Sequence, residues 1–321
     1  MLPLSTLRRA ALLLLPFALL GGSPLSLAAA QNAAVVIPGG GPAAGSSGSS
    51  PSATGPRALV VLNDADSSSS YSALFSALKE KGYDLSIRKA GASSPSLTSH
   101  ELNNFDHLLY FASTSAPAPG GSSDLAPQRV VEFLKRGGNV VFGFDGQIAE
   151  GNRDFAREFH LEFEERGTGL IDHFRAEKSK DQGNHTAILV GGSEGAASGK
   201  LSPGQVIPNA QIFSPKTLLD LQASPILYRG LAHRLGALPL AFPLLQAPAT
   251  AYSSEGPSAK GRQAEPLEDV ADLLTGGQGA SLVSAFQVKE NSARVLFSGS
   301  LDLFKDEFIK AKNVQALDGS K

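Results

Sequence analysis

The chain from residue 57 to about residue 160 alternates short apolar runs with amphipathic segments. Continuous β-branched runs are typical of strands buried on both faces of a sheet, whereas a half-buried strand alternates apolar with polar positions. The segments that predict strands are Ala58–Leu62, Asp84–Arg88, His107–Phe111 and Asn139–Phe144. Only Asp84–Arg88 alternates; the other three are continuous.

Between these strands the apolar residues recur at helical spacing. A helix is predicted over Tyr71–Lys81, and Gly82 directly after it is a typical stop signal. A second helix is centred on Val130–Leu134 and is closed by Gly137. Strand–helix–strand units in this order predict an α/β domain over residues 57–160, with a doubly wound parallel sheet of the flavodoxin or Rossmann type.

Residues 161–321 show a mixed pattern, which predicts a smaller α+β domain. The runs Ser281–Val288 and Ala293–Ser298 flank four polar residues and predict a β-hairpin. Asp302 is placed to cap a helix with an apolar face that includes Phe308.

The first 56 residues carry a different signal. A basic pair precedes the uncharged run Ala10–Leu20, which is too short to span a membrane, and small residues lead up to Ala30. This pattern predicts a secretory signal over residues 1–30, cleaved between Ala30 and Gln31. Residues 31–56 are rich in Gly, Ser, Pro and Ala and predict a low-complexity linker.

Charge and cysteine content exclude several classes of function. The chain has 321 residues, with 28 Lys and Arg against 30 Asp and Glu, and a net charge of -2. This balance argues against nucleic-acid binding, which needs clustered basic residues. Because the chain has no cysteine, disulfides, thiolate zinc sites and a cysteine nucleophile are excluded.

One catalytic motif provides an alternative function. Gly191–Gly195 forms a GxSxG with Ser193 at its centre, and Asp220 and His233 follow in the order of an α/β-hydrolase triad. That motif must lead into a substantial helix, but Pro203 interrupts the sequence within about two turns. A secreted serine hydrolase using Ser193 is therefore kept only as the alternative.

The remaining constellations predict no catalytic, cofactor or metal residues. Asp172, His173, Asp181 and His185 lack the compact spacing of a zinc site. The neighbours Glu164–Glu165 would point to opposite faces of a strand, so they predict a solvated edge and not a glycosidase pair.

The sequence contains a single N-x-S/T sequon, Asn184-His185-Thr186. Behind a secretory signal, such a sequon is an acceptor for N-linked glycosylation and indicates a surface loop. Asn184 is therefore predicted to be glycosylated.

Eight stretches stand in order and with consistent spacing: Ala58–Leu62, Leu74–Lys79, Gly82–Leu85, Gly137–Val141, Thr168–His173, His185–Thr186, Ser224–Gly230 and Ala293–Asp302. Together they resemble the DDOST family, the 48 kDa-type subunit of the endoplasmic reticulum oligosaccharyltransferase complex. Within them we single out, as structural residues of the family motifs, Asp172, His173, Arg229, Gly230, Ser298, Gly299 and Asp302.

The resemblance implies a non-catalytic scaffold in the complex that transfers a glycan from dolichyl diphosphate to sequon asparagines. In that family catalysis belongs to a separate membrane subunit, and no cofactor binds the DDOST-like subunit. The expected partners are the other subunits of the complex, including the catalytic one. The expected location is the lumenal side of the endoplasmic reticulum membrane, as a single-pass type I protein. Membrane association would come through the complex or through a C-terminal helix that the 321 residues lack. A glycan-binding domain is a further alternative by analogy with the crevices of doubly wound sheets.

Overall fold

A computed structural model describes residues 55–64, 66–99, 102–117, 122–181, 183–191, 205–207, 225–237, 239–255, 280–311 and 314. The predicted signal segment, its cleavage site at Ala30 and Gln31, and nearly all of the predicted linker lie outside these ranges.

The described residues form short strands and four α-helices. The strands are β1 (Arg57–Leu62), β2 (Asp84–Lys89), β3 (Thr98–Ser99), β4 (Leu102–Asn103), β5 (His107–Phe111), β6 (Asn139–Gly143), β7 (Leu161–Phe163), β8 (Thr168–Ile171), β9 (Ile188–Val190), β10 (Gln205–Val206), β11 (Ile226–Tyr228), β12 (His233–Leu235), β13 (Ala241–Gln246), β14 (Tyr252–Glu255), β15 (Ser281–Gln287) and β16 (Arg294–Ser298). The helices are α1 (Ser72–Glu80), α2 (Pro127–Lys135), α3 (Glu150–Arg157) and α4 (Asp306–Ile309), and two 3-10 helices cover Ser68–Tyr71 and Asp302–Phe304.

Within the described residues, one mixed sheet of ten strands organises the molecule. Its parallel part runs β2-β1-β5-β6-β16. By position along the chain this is the order 2-1-3-4-5, which is also found in flavodoxin-like sheets. Strands β15, β13 and β10 continue the sheet in antiparallel pairing, and β12 and β7 branch from β15. The predicted α/β fold class is confirmed.

Helices cover both faces of the parallel strands, which explains their continuous apolar sequences. On one face, Val60 belongs to the same buried cluster as Leu74 of α1. On the other face, Leu59 is buried in a cluster with Phe133 of α2 and Phe155 of α3. Successive side chains of a strand point to opposite faces, so a strand between two helical layers has to be apolar at every position.

The sheet crosses the predicted domain boundary at residue 160. The predicted hairpin is present as β15 and β16, and β16 pairs in parallel with β6, where the rings of Phe142 and Phe297 stack at 5.0 Å. Strands from both segments therefore share one hydrophobic core. The division into domains at residues 57–160 and 161–321 stays a prediction.

Two local predictions are wrong. Asp302 is not a helix cap: Leu301 precedes the 3-10 helix, and the Asp302 carboxylate instead lies 2.6 Å from Nε of Arg229. Glu164 is buried, at 5% exposure, although Glu165 is exposed as expected for a solvated edge. At Asp302, a partner 73 residues away in sequence takes the place of the predicted local cap.

The Asp306 carboxylate joins helix α4 to helix α1. Tyr71, the residue before α1, makes no capping hydrogen bond with its side chain. The carboxylate of Asp306 accepts a hydrogen bond from the backbone N–H of Ala73 at 2.7 Å and another from the Ser72 hydroxyl. It thus caps α1 from a position 233 residues away in sequence, and its charge also suits the positive end of the helix dipole.

Asp306→Ala is expected to lower the free energy of unfolding by about 1–2 kcal/mol, the usual cost of losing an N-cap with its hydrogen bonds. Burial alone would raise the pKa of Asp306, but hydrogen bonds from Lys310, Ser72 and the Ala73 backbone lower it. The stabilisation is therefore present above the unfolded pKa and is lost as the pH falls through the lower, folded value. Urea unfolding at neutral and acid pH measures both effects. Asp306→Asn, which keeps one oxygen acceptor, should lose less stability at neutral pH than Asp306→Ala; equal losses would contradict the capping role.

Candidate functional site

Two of the family-like stretches, those that end at Gly230 and at Asp302, meet where the backbone at Gly230 crosses the backbone at Gly299. The backbone N–H of Leu231 donates to the carbonyl oxygen of Gly299 at 2.8 Å. A Cβ atom at position 230 would lie 2.0 Å from the Gly299 oxygen, and one at position 299 would lie 2.0 Å from the Leu231 oxygen. Both separations are far below van der Waals contact, so the crossing requires glycine at both positions.

An ion-pair network fixes the residues that flank this crossing. Nε of Arg229 lies 2.6 Å from the Asp302 carboxylate, which also forms an ion pair with Nζ of Lys305 at 3.2 Å. The guanidinium extends to Glu307 at 3.5 Å and lies over the ring of Phe308 at 5.0 Å. Arg229 and Asp302 have side-chain exposures of 32% and 17%, so this network is partly shielded from solvent and links β11 to the segment after β16.

A polar cleft of about 330 Å³ opens beside this network. One wall comes from the loops that follow the C-terminal ends of β6 and β16, and the other from β8 and the turn before β9. Neighbouring parallel strands present their loops at the same edge, which is where ligands bind in open α/β sheets. The polar side chains that line the cleft include Asp145, Thr168, Lys180, Asn184, Arg229 and Asp302.

Asp172 is buried and does not line the cleft; its hydrogen bonds hold the turn that follows β8. Its carboxylate accepts from the backbone N–H groups of Phe174 and Arg175 at 2.9 and 3.0 Å, and from the Thr250 hydroxyl at 2.6 Å. The neighbouring His173 is exposed, and its Nε2 is hydrogen-bonded to the Tyr252 hydroxyl at 2.8 Å. Asp172 therefore shapes the end of β8.

The sequon residues lie in an ordered turn at the rim of the cleft. The Asp181 carboxylate accepts from the backbone N–H groups of Gly183 at 3.1 Å and Thr186 at 3.0 Å. Asn184 is half-buried, and both Asn184 and Thr186 line the cleft.

Ser298 has a local structural contact. Its hydroxyl donates to the Ser300 carbonyl at 3.0 Å and accepts from the Ser300 backbone N–H at 3.2 Å. Both serines are buried, so Ser298 shapes the turn that carries Gly299 between them.

The histidine of the alternative hydrolase triad is unsuited to act as a base. His233 is fully buried, its Nε2 is hydrogen-bonded to the Ser284 hydroxyl at 2.7 Å, and its ring lies against Phe163. Burial lowers the pKa of His233 to about 3. Ser193 and Asp220 lie outside the described residues.

A second cavity of about 710 Å³ lies at the C-terminal ends of β1, β2 and β5. Its lining includes Asp124, whose carboxylate pairs with the buried Arg88 at 2.9 Å and so holds the loop after β2. In neither cavity do the described residues bring together three or more His, Asp or Glu side chains that could hold a metal.

Comparison with known families identifies the family of the chain. Residues 49–320 match the family model described as "OST48, N-terminal domain". The chain belongs to this family. The match extends from the predicted linker through the segment that carries Asp302.

Curated relatives from two animals and a plant have names that agree with this family. Proteins called "Dolichyl-diphosphooligosaccharide--protein glycosyltransferase 48 kDa subunit" are 30% identical in Caenorhabditis elegans over 259 residues, 31% in Drosophila melanogaster over 258 and 32% in Arabidopsis thaliana over 260. These alignments cover 80%, 79% and 80% of this chain and 52%, 51% and 53% of the relatives. The chain thus spans about half the length of the relatives it matches.

Solved structures show only a weak likeness. A thua-like protein from Bacteroides uniformis has a TM-score of 0.39 and 10% sequence identity, covering 84% of this chain and 97% of that one. PurLQS from Thermotoga maritima has a TM-score of 0.27 and 12% identity, covering 75% and 84%. Such scores do not establish a shared fold.

Of the residues that line the cleft, Arg229, Gly230 and Asp302 were indicated by the sequence motifs, whereas Asp145 and Lys180 were missed. Asp145 carried a usable signal, since it follows the apolar run of β6 at the edge where ligands bind. No helix among the described residues has the length and apolar character needed to cross a membrane.

Proposed function

We propose that this OST48 family chain acts as part of the 48 kDa subunit of an oligosaccharyltransferase complex and supports N-linked glycosylation in the endoplasmic reticulum lumen. The observation that carries the proposal is the family match over residues 49–320. The names of the worm, fly and plant relatives supply the reaction and the complex.

In this proposal the chain is a scaffold and another, membrane-bound subunit performs the transfer. The geometry of the family-like residues supports a structural role. Gly230 and Gly299 allow a close backbone crossing, and Arg229 and Asp302 pair with each other across it. Asp172 organises a turn through three hydrogen bonds.

The chain enters the lumen through its predicted signal segment and is held at the membrane by the other subunits or by a membrane-spanning segment of its own. The sequon-containing face and the cleft are then lumenal. The partners are the other subunits of the complex, including the catalytic one.

A depletion and rescue experiment tests the proposal. Loss of the protein is expected to lower sequon occupancy in newly made lumenal glycoproteins. Re-expression of the wild-type protein from its native gene should restore that occupancy. Ser193→Ala should restore it equally, because the proposed role needs no nucleophile at Ser193. Mass spectrometry of a mild-detergent pull-down should recover the catalytic subunit. Normal glycosylation after complete loss, or recovery of the protein without partners, would contradict the proposal.

A further inference from the structure

We infer that the first sugar of an N-linked glycan on Asn184 occupies the cleft between β8 and the loops after β6 and β16. The cleft would then hold a covalently attached N-acetylhexosamine and not a diffusible ligand. The inference rests on the proposed function in one respect, the entry of the chain into the lumen.

The position of the sequon is the first observation. Both the acceptor Asn184 and the hydroxyl residue Thr186 line the cleft. A sugar attached to the Asn184 amide therefore starts at the cleft wall. A glycan on an outward-facing loop would start in open solvent.

The turn that carries Asn184 fixes this placement. Gly183 has φ of +88° and His185 has φ of +55°, so the backbone on both sides of Asn184 is in the left-handed region. The Asp181 carboxylate binds the N–H groups of Gly183 and Thr186 and closes the turn. Among the described residues the Asn184 side chain has no hydrogen-bond partner of its own.

The lining of the cleft suits a sugar better than a free anion. Arg229 pairs with both Asp302 and Glu307, and Lys305 pairs with Asp302, so two carboxylates balance these two cations. What remains is a mixture of donors and acceptors from Lys180, Asp145 and the backbone near Gly146 and Gly169. Hydroxyl and acetamide groups use both kinds of partner. A volume of about 330 Å³ is at the small end for ligand sites.

The attachment itself is a redox-neutral substitution. The Asn184 amide nitrogen forms a bond to the anomeric carbon of a dolichyl-diphosphate-linked oligosaccharide, and the bond from that carbon to the phosphate oxygen breaks. The amide loses one proton to a base, and dolichyl diphosphate leaves with the electron pair.

The test compares how fast a peptide-N-glycosidase releases the glycan from folded and from denatured protein. The full chain is produced in secretory eukaryotic cells. The matched control carries Asn184→Gln with Ser68→Asn, which creates one new sequon at the start of the 3-10 helix Ser68–Tyr71, where Ser67–Ser70 are exposed. Release from Asn184 should be about tenfold or more slower in the folded protein than in the denatured one, since the enzyme needs a local opening there. The control glycan should show little difference.

Cleft variants provide a second readout. Asp145→Ala and Lys180→Ala should speed release from the folded protein, whereas Lys178→Ala, an exposed change in the same segment, should not. Circular dichroism confirms that each variant is folded.

If the control sequon is glycosylated and Asn184 is not, or if release is equally fast from the folded and the denatured protein, the inference is overturned while lumenal entry stands. If neither sequon is modified, the inference and the proposed lumenal location both fail.

Discussion

Gly299→Ala is expected to lower the free energy of unfolding by about 3–5 kcal/mol, a large part of the stability of an ordinary domain. The new Cβ atom would lie 2.0 Å from the Leu231 carbonyl oxygen and 2.5 Å from the Tyr228 hydroxyl. Neither neighbour can move freely. The Leu231 oxygen belongs to the backbone at the crossing and accepts a hydrogen bond from Tyr228 at 2.5 Å, and Tyr228 is fully buried.

Urea unfolding of the variant and the wild type measures this loss. Gly82→Ala is the matched control, because Gly82 has φ of +88° but no atom lies within 4 Å of the position that an added Cβ would take. That change should cost only about 1–2 kcal/mol, the usual penalty of a left-handed backbone for a residue with a Cβ atom. If the two variants lose the same stability, the close approach at Gly299 is not what restricts the position to glycine.

The parallel core of the fold was predictable because its signal is local. The strand prediction His107–Phe111 coincides with β5, and the helix predicted over Tyr71–Lys81 contains α1. A strand between two layers of helices has no polar face, so its sequence becomes a continuous apolar run. Gly82 and Gly137 end their helices with positive φ values of +88°, as their positions suggested.

Helix α3 was not predicted, because its apolar signal is weak. In its sequence, EGNRDFAR, the buried side chains include Asn152 and Arg153. Asn152 donates to the carbonyl of Ser113 at 2.9 Å, and Arg153 donates to the carbonyl of Phe163 at 3.2 Å and pairs with Glu150 at 2.7 Å. Periodicity reveals apolar burial, but it cannot reveal polar side chains that are buried through partners elsewhere in the chain.

In the candidate site, too, the sequence indicated individual residues but not the contacts between residues distant in the chain. The family-like motifs identified Arg229 and Asp302 separately, 73 residues apart in sequence. Nothing in either segment indicates that they pair, or that Lys180 and Asn184 face the same cleft. Those relations depend on β16 joining β6, a long-range pairing that no short window of sequence encodes.

Acidification from pH 7 to pH 5 is expected to lower the free energy of unfolding by about 2 kcal/mol for each of two buried histidines. Burial lowers the pKa of His233 to about 3. Burial also lowers the pKa of His107 to about 4, an effect that the nearby Asp106 partly opposes. In the unfolded chain both groups titrate near 6.5. Below that pH the unfolded state takes up protons that the folded state does not bind, so stability is full above pH 6.5 and falls as the pH decreases.

The measurement is the pH dependence of urea unfolding between pH 7 and pH 5, where ordinary carboxylates remain ionised and contribute little. His233→Gln and His107→Gln should each reduce the loss over this interval by about half. The control is His160→Asn at an exposed position with φ of +60°, which asparagine tolerates. This variant keeps both buried histidines, so the loss of stability that they cause between pH 7 and pH 5 should remain. The comparison uses the change in stability with pH within each variant, so a general loss of stability from the substitution does not affect it. A wild-type chain equally stable at both pH values would show that His107 and His233 are protonated in the fold, and that their burial is less complete than the structure indicates.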